Sequence, residues 1–323
     1  MTLPSKDELN VCFAHVAYRL GDNLKARDTG ISYFEVRSPD ELKARIGEAD
    51  VLVISGLWKN DLIPHAKRLK FIQSISAGVD QYGKDALKAA GIRLASAAGA
   101  NACAVSEHAI SLILAHTRRL AEARDNQAKR AWRGMIADPA AREDELGGKT
   151  LLIVGLGRIG QRLAHLAKAF DMKVVGVRRD PSAGGGAADS VHAFRELHSL
   201  LPQADIVALT CPLTPETENM IDAKAIAAMK PGAHLVNVAR GRCVNEADLI
   251  AALKSGKLAS ASLDTFHDEP LPAESPLWNF PNVLVTPHTG GETGRYEANV
   301  NDLLVENLDR LWRGQAELKN QIV

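Results

Sequence analysis

The stretch at residues 149–180 constrains the fold of this chain more than any other part of it. Its sequence is KTLLIVGLGRIGQRLAHLAKAFDMKVVGVRRD. It starts with an apolar run at residues 151–154 that is typical of a buried strand, and it ends with a second run at residues 174–177. Between them, gaps of four, three and four separate the apolar residues Ile159, Leu163, Leu166 and Phe170, which predicts one apolar face of a helix. The stretch therefore predicts a strand–helix–strand unit.

The glycines of GLGRIG have separate physical roles at the start of that helix. Gly155 allows a tight turn, Gly157 lets the backbone approach a pyrophosphate, and Gly160 lets the helix pack closely on the strand. The free N–H groups of the first helical turn, at Arg158 and Ile159, then hold the phosphates. A glycine turn without a ligand is the alternative, but the flanking strands and helix favour a dinucleotide site.

Short apolar runs alternate with helical stretches on both sides of this unit. Before it, strands are predicted at residues 11–16, 31–36, 51–54, 71–75 and 92–95. A long helix at residues 102–126, with Asn101 as N-cap, leads from this first group into the second. After the unit, strands are predicted at residues 205–210, 233–238, 259–263 and 283–285, which gives six strands in the second group.

This rhythm predicts an α/β protein with two doubly wound parallel-sheet domains. Residues 101–291 would form a Rossmann dinucleotide-binding domain. Residues 1–100 would form a flavodoxin-like substrate domain, to which the tail at residues 292–323 returns with one more helix. We expect the ligands in the cleft between the two domains.

Composition excludes several classes of partner. Lys and Arg together number 39, as do Asp and Glu, so no net field attracts nucleic acid or an acidic membrane. The N-terminus lacks the apolar core of a signal peptide, and the longest apolar run, at residues 109–115, is too short to span a bilayer. The four cysteines form no CxxC pair and are expected to be free thiols in a reducing compartment. We therefore expect a cytoplasmic protein without a nucleic-acid or membrane partner.

Three polar residues follow predicted strands of the second group, where ligands of open α/β sheets bind. Arg240 can clamp a carboxylate with two hydrogen bonds, and His288 can exchange a proton near neutral pH. Glu269 can orient the imidazole and favour its charged form. With a nicotinamide, this set suits interconversion of a 2-keto acid and a 2-hydroxy acid. By spacing alone, Arg242 is an equal candidate for the role of Arg240, and His267 or Asp268 for the role of Glu269. His267, Asp268, Glu269 and His288 could also be read as a metal cluster, but they have no recognised ligand spacing, so no metal is expected.

Seven segments carry a resemblance to a known family. They are SAGVD at residues 76–80, NACAVSEHA at 101–109, GLGRIG at 155–160, CPLTPET at 211–217, VNVARGRCVNEADLIAAL at 236–253, DTFHDEPLP at 264–272 and TPHTGG at 286–291. In this order, over essentially the full length, the chain resembles the NAD(P)-dependent D-isomer-specific 2-hydroxyacid dehydrogenases. The resemblance implies that Arg240 binds the substrate, that His288 is the proton donor and that Glu269 supports it.

The same resemblance implies further contacts. Backbone N–H groups of Ala77, Gly78 and Val79 would hold the substrate carboxylate, although a plain helix-capping turn is the alternative. Asp264 would lie near the nicotinamide, and Cys211 with Pro212 would border the adenosine. The other cofactor contacts expected on this basis are Thr217, Val238, Ala239, His288 and Gly290. Dimerisation through the cofactor domains, with the long helix at residues 102–126 and the loop at residues 132–146 reaching a partner, is also implied.

The end of the second strand of the Rossmann unit bears on the choice of cofactor. An acid usually stands there to bind the ribose 2′-hydroxyl of NAD, but this chain has Arg178 and Arg179 before Asp180. Arginine suits a 2′-phosphate, so NADPH is predicted, with NADH possible. The alternative is that both arginines are solvated and that Asp180 contacts the ribose.

Little in the sequence defines the substrate. Trp58, after the third strand, could form an apolar wall against the substrate side chain, or could be ordinary packing. With its predicted preference for NADPH and a length that leaves no room for an extra regulatory domain, the chain resembles the glyoxylate/hydroxypyruvate reductases. A reductase of bulkier 2-keto acids, a phosphite dehydrogenase and a nucleotide-sensing corepressor are the alternatives; formate dehydrogenases have glutamine where this chain has Glu269.

Overall fold

A computed structural model describes residues 3–323. The chain divides into two compact units, each of which has its own parallel sheet. Unit 1 contains the chain up to Asn101 and again Thr293–Val323, and unit 2 contains Ala102–Glu292. The predicted fold class, two α/β domains with parallel sheets, is confirmed.

Unit 1 has a five-stranded sheet in the order β2-β1-β3-β4-β5, with every pairing parallel. This is the flavodoxin-like order of a doubly wound sheet. Its strands are β1 (Asn10–Ala14), β2 (Ser32–Val36), β3 (Val51–Ile54), β4 (Phe71–Ser74) and β5 (Arg93–Ala95). Its helices are α1 (Leu20–Lys25), α2 (Pro39–Arg45), α3 (Lys84–Ala89) and, from the tail of the chain, α10 (Tyr296–Trp312).

Both faces of the unit 1 sheet are buried. Val51 and Val53 belong to one hydrophobic cluster, and Leu52 and Ile54 belong to another. This explains why β3 is a continuous apolar run and not an alternating one. Helix α10 covers the first cluster with Val300, Leu304 and Leu308.

Unit 2 has a seven-stranded parallel sheet in the order β12-β11-β10-β9-β6-β7-β8. The first six strands in chain order follow the Rossmann arrangement, and β12 adds one edge. Its strands are β6 (Thr150–Val154), β7 (Lys173–Arg178), β8 (Ser190–Ala193), β9 (Ile206–Leu209), β10 (His234–Asn237), β11 (Ser260–Leu263) and β12 (Val283–Val285). Its helices are α4 (Ala102–Thr117), α5 (Leu120–Ala128), α6 (Arg158–Lys168), α7 (Leu197–Leu200), α8 (Ala223–Ala228) and α9 (Glu246–Ser255).

Three sequence predictions are corrected, two in unit 2 and one at Asn101, which directly precedes it. Strand β8, SVHA, is absent from the six predicted strands because this edge strand is short and only partly buried. The predicted helix at residues 102–126 is two helices: Arg119 has a φ of 52°, in the left-handed region, and separates α4 from α5. The N-cap prediction for Asn101 is also wrong, because its buried Oδ1 has no hydrogen-bond partner among the described residues.

No helix within residues 3–323 combines the length and the apolar character that crossing a membrane requires.

Candidate active site

The turn between β6 and α6 has the geometry that its glycines predict. Gly155 has a φ of +105°, and a Cβ there would lie 2.5 Å from the Cys211 backbone nitrogen. A Cβ on Gly160 would lie 2.4 Å from the Gly155 carbonyl oxygen. A Cβ on Gly157, by contrast, would meet nothing within 4 Å. Packing therefore requires the outer two glycines, whereas the open space at Gly157 fits a bound pyrophosphate.

A cavity of about 330 Å³ lies beside this turn. Seven predicted cofactor residues line it: Gly155, Gly157, Arg178, Arg179, Cys211, Pro212 and Thr217. Phe194, Thr210 and Glu216 line it too, although they were not predicted from the sequence. Glu216 belongs to the CPLTPET segment, so the family segment itself was an available signal. The size and lining suit the adenosine end of a dinucleotide.

The three charged residues after β7 have different surroundings. Arg178 donates hydrogen bonds to the carbonyl oxygens of Ala183 and Gly184. Asp180 caps the short 3-10 helix Pro181–Ala183 and accepts hydrogen bonds from the backbone N–H (3.0 Å) and hydroxyl (2.6 Å) of Ser182, which lower the pKa of its carboxyl. Arg179 is exposed and has no hydrogen bond or ion pair with any residue of the described chain. Of the three side chains, Arg179 is the one not committed to the loop.

Glu269 and His288 form a direct pair. His288 Nδ1 lies 2.7 Å from Glu269 Oε2, and the backbone N–H of Phe266 donates to Glu269 Oε1 at 2.9 Å. Because a carboxylate only accepts, Nδ1–H is the donor and Nε2 remains for a ligand. The alternatives His267 and Asp268 are exposed, and neither forms a hydrogen bond or ion pair with His288.

This pairing shifts both ionisations. The hydrogen bond with Glu269 raises the pKa of His288 above its usual value, against the lowering effect of burial. Burial alone would raise the pKa of Glu269, but the hydrogen bonds from His288 and from the Phe266 N–H lower it below its usual value. The imidazolium–carboxylate form therefore persists to a higher pH than an isolated histidine would allow.

Arg240 follows β10, and its turn packs tightly against the segment that leads to Glu269. A Cβ on Gly241 would lie 1.9 Å from the carbonyl carbon of Phe266, so only glycine allows this approach. Arg240 Nη1 donates to the Ala239 carbonyl at 2.7 Å, and its charge contributes to the lowered pKa of Glu269. The alternative, Arg242, is paired with Glu218. The structure thus brings Arg240, Glu269 and His288 into one electrostatically coupled group.

Asp264 anchors the segment around His288. Its buried carboxylate accepts hydrogen bonds from the Thr286 hydroxyl (2.6 Å) and from the N–H groups of Thr289 (3.0 Å) and Gly290 (3.0 Å). Burial would raise the pKa of Asp264, but hydrogen bonds from His108, Thr286 and Gly290 lower it. Neither Thr286 nor His108 was predicted from the sequence as a site residue.

The remaining predicted residues are found in three places. Arg158, Ile159 and Gly160 form the first turn of α6, and Val238 and Ala239 are buried after β10. Ala77, Gly78 and Val79 lie in unit 1 after β4, where substrate binding stays a prediction. No group of three or more His, Cys, Asp or Glu side chains in residues 3–323 is arranged to hold a metal ion.

Trp58 requires a correction. Its side chain is 3% exposed and belongs to a hydrophobic core cluster of unit 1, and its indole Nε1 donates to Asn60 Oδ1 at 3.1 Å. The ring also packs against Tyr82 at a centroid distance of 5.8 Å. Trp58 is therefore core packing and not an apolar wall for substrate.

Comparisons with known proteins show the family of this chain. Residues 110–290 match the sequence model of a family described as D-isomer specific 2-hydroxyacid dehydrogenase, NAD binding domain. A hydroxypyruvate reductase from Thermotoga maritima is 36% identical over 83% of this chain and 87% of its own length. A solved structure of a D-isomer specific 2-hydroxyacid dehydrogenase family protein from Aeromonas salmonicida is 34% identical, with a TM-score of 0.85 over 98% of this chain and 99% of that chain. The chain belongs to the D-isomer-specific 2-hydroxyacid dehydrogenase family.

One group of relatives is longer. A D-3-phosphoglycerate dehydrogenase from Methanocaldococcus jannaschii is 36% identical over 85% of this chain, but the match covers 52% of that protein. The chain therefore spans about half the length of these curated relatives.

Proposed function

We propose that this protein is an oxidoreductase that transfers hydride between a nicotinamide cofactor and a 2-keto acid, and so forms a D-2-hydroxy acid. The observation that carries the proposal is the 2.7 Å contact of His288 Nδ1 with Glu269 Oε2, in a group coupled to Arg240. Such a group contains a proton donor and a carboxylate anchor but no nucleophile. That combination suits reduction of a carbonyl next to a carboxylate.

In the proposed mechanism each side chain has one task. The chemistry that a reduced nicotinamide supplies when bound is a hydride for the carbonyl carbon. Arg240 binds the substrate carboxylate and polarises the carbonyl, while His288 donates the proton on Nε2 to the keto oxygen. Glu269 holds Nδ1–H and stabilises the imidazolium before the transfer. Asp264, through Thr289 and Gly290, keeps the segment that carries His288 in place.

For the substrate, we propose glyoxylate or hydroxypyruvate. The functions of relatives support this: the T. maritima protein is a hydroxypyruvate reductase, and a Pectobacterium atrosepticum relative, 33% identical over 93% of this chain, is a glyoxylate/hydroxypyruvate reductase. A second candidate is a phosphorylated 3-carbon acid, because the M. jannaschii relative is a D-3-phosphoglycerate dehydrogenase.

A panel of acids tests the activity and the substrate together. Glyoxylate, hydroxypyruvate, 3-phosphohydroxypyruvate, a branched 2-keto acid and, in the oxidative direction, phosphite are each assayed with NADPH and with NADH. We expect the highest kcat/KM with hydroxypyruvate or glyoxylate. Turnover with the phosphorylated acid alone would select the second candidate, and no turnover with any 2-keto acid would contradict the proposed function.

For the cofactor, we propose NADPH, bound in the cavity beside Gly155 with its 2′-phosphate at Arg179. The free guanidinium of Arg179 and the commitment of Asp180 to the Ser182 turn support this assignment. One charge-assisted hydrogen bond contributes about 1.5–3 kcal/mol, so Arg179→Ala should raise the KM for NADPH by roughly ten- to a hundredfold. The KM for NADH should stay near its wild-type value.

The control for this variant is Arg313→Ala, which removes an exposed arginine of unit 1. It should leave both KM values unchanged. Equal kcat/KM for NADH and NADPH in the wild-type protein would refute the assignment.

We further propose that the protein is a cytoplasmic homodimer. Trp132 and Met135, in the segment expected to reach a partner, are 98% and 103% exposed, which supports an interface there. The four cysteines are free thiols, which fits a reducing compartment.

A further inference from the structure

His108, on α4, contacts the hydrogen-bond network of Asp264. Its Nε2 lies 3.0 Å from Thr286 Oγ1 and 3.4 Å from Asp264 Oδ1. The Thr286 hydroxyl is 2.6 Å from the same carboxylate oxygen. Because the carboxylate can only accept, the hydroxyl proton of Thr286 points to Asp264 and its oxygen is free to accept from His108. The chain of donors therefore runs from His108 Nε2–H to Thr286 and from Thr286 to Asp264.

This chain of hydrogen bonds is attached to the turn that carries His288. Thr286 precedes that residue by two positions, and the Thr286 carbonyl accepts the N–H of His288 at 3.0 Å. His288 has a φ of 53°, in the left-handed region, where residues other than glycine are uncommon. Asp264 fixes the turn on the other side, through Thr289 and Gly290.

His108 also restricts the turn by contact. A Cβ on Gly290 would lie 3.0 Å from His108 Cδ2 and 2.8 Å from Asp264 Oδ2. The imidazole of His108 therefore packs against Gly290 and donates to Thr286. These two residues lie on opposite sides of His288 in the sequence. These two contacts hold the turn to α4 from a residue far away in the sequence.

We propose that His108 is a positioning residue for His288, acting through Thr286 and Asp264. This inference rests on the proposed function of His288 as proton donor. Without the donor on α4, Thr286 and the turn gain freedom, and the 2.7 Å contact of His288 with Glu269 loosens. Since that contact raises the pKa of His288, a looser contact lets this pKa fall.

The charged groups that face His288 are the other influences on its pKa. They are Glu269 and Asp264, which favour the imidazolium, and Arg240, which opposes it. Replacement of His108 leaves all three of these groups in the chain. A change in the titration of His288 would therefore report its position relative to them.

The test follows His288 directly, by NMR titration of the protein with carbon-13 labelled histidine. A His288→Gln spectrum identifies the resonance. In His108→Leu we expect the pKa of His288 to fall by about half a unit or more, and kcat to fall by about tenfold. KM for the cofactor should change little. His108→Gln, whose amide nitrogen can replace Nε2 as donor, should restore both values.

The control is His165→Leu, which removes an exposed histidine of α6 and should change neither value. Should His108→Leu fail to fold, Thr286→Val removes the same link and is expected to show the same fall. An unchanged pKa of His288 in the folded variant, or a fall that His108→Gln does not reverse, would overturn the proposal. The NMR titration does not depend on turnover. A protein that reduces no 2-keto acid would therefore refute the proposed function, whereas the titration would still show whether His108 positions His288.

Discussion

Replacement of His288 by glutamine is expected to lower kcat by a factor of about 10² to 10⁴, the usual contribution of a general acid, while cofactor affinity falls far less. The reason is that Nε2 of His288 is the proposed proton source, and its Nδ1–H is already bound to Glu269 at 2.7 Å. Steady-state kinetics and a fluorescence titration with NADPH measure the two quantities separately.

His267→Gln is the matched control, because that histidine is exposed and lies near Glu269 in sequence without a hydrogen bond or ion pair with His288. It should retain near-normal turnover. If His288→Gln kept its turnover, or if His267→Gln lost as much, the assignment of the proton donor would be wrong.

Replacement of Arg240 by methionine should lower kcat/KM by a factor of about 10² to 10³, the typical loss when one preorganised donor to a developing charge is removed. The guanidinium stabilises a bound carboxylate mainly through a fork of two parallel hydrogen bonds. Arg240→Lys should therefore recover only part of the loss, since an ammonium group cannot reproduce that fork. Initial rates over a range of 2-keto acid concentrations give both kcat and KM.

Arg242→Met provides the comparison for this site. Arg242 is two residues away and its guanidinium pairs with Glu218 at the surface, so its loss should change kcat/KM only slightly. A larger effect at Arg242 than at Arg240 would reverse the order that the structure supports.

The sequence contained most of the architecture because the parallel strands are buried on both faces. Runs such as residues 51–54 and 151–154 are continuously apolar, and each coincides with a strand or with most of one. The edge strand β8 lacks such a run, with only Val191 and Ala193 apolar, and was missed. The break between α4 and α5 was missed because neither glycine nor proline marks the left-handed residue, Arg119.

Residues of the candidate site could be predicted where they directly follow a strand in the sequence. They could not be predicted where their role depends on contacts with residues far away in the sequence. Arg240, Glu269 and His288 were candidates from their positions alone, although the family resemblance was needed to choose among neighbours. His108 was not, because its contact with Thr286 joins residues 178 positions apart. The prediction of Trp58 as a substrate wall was wrong for a related reason: its burial against Tyr82 is tertiary packing that no local sequence pattern reveals.

The most direct test of the central claim is the stereochemistry of the product. Hydroxypyruvate is reduced by the wild-type protein with NADPH, and the glycerate formed is resolved on a chiral column. We expect D-glycerate alone, in a one-to-one ratio with the NADPH consumed. Formation of L-glycerate or a racemate, or no glycerate together with no turnover of any other 2-keto acid, would contradict the central claim.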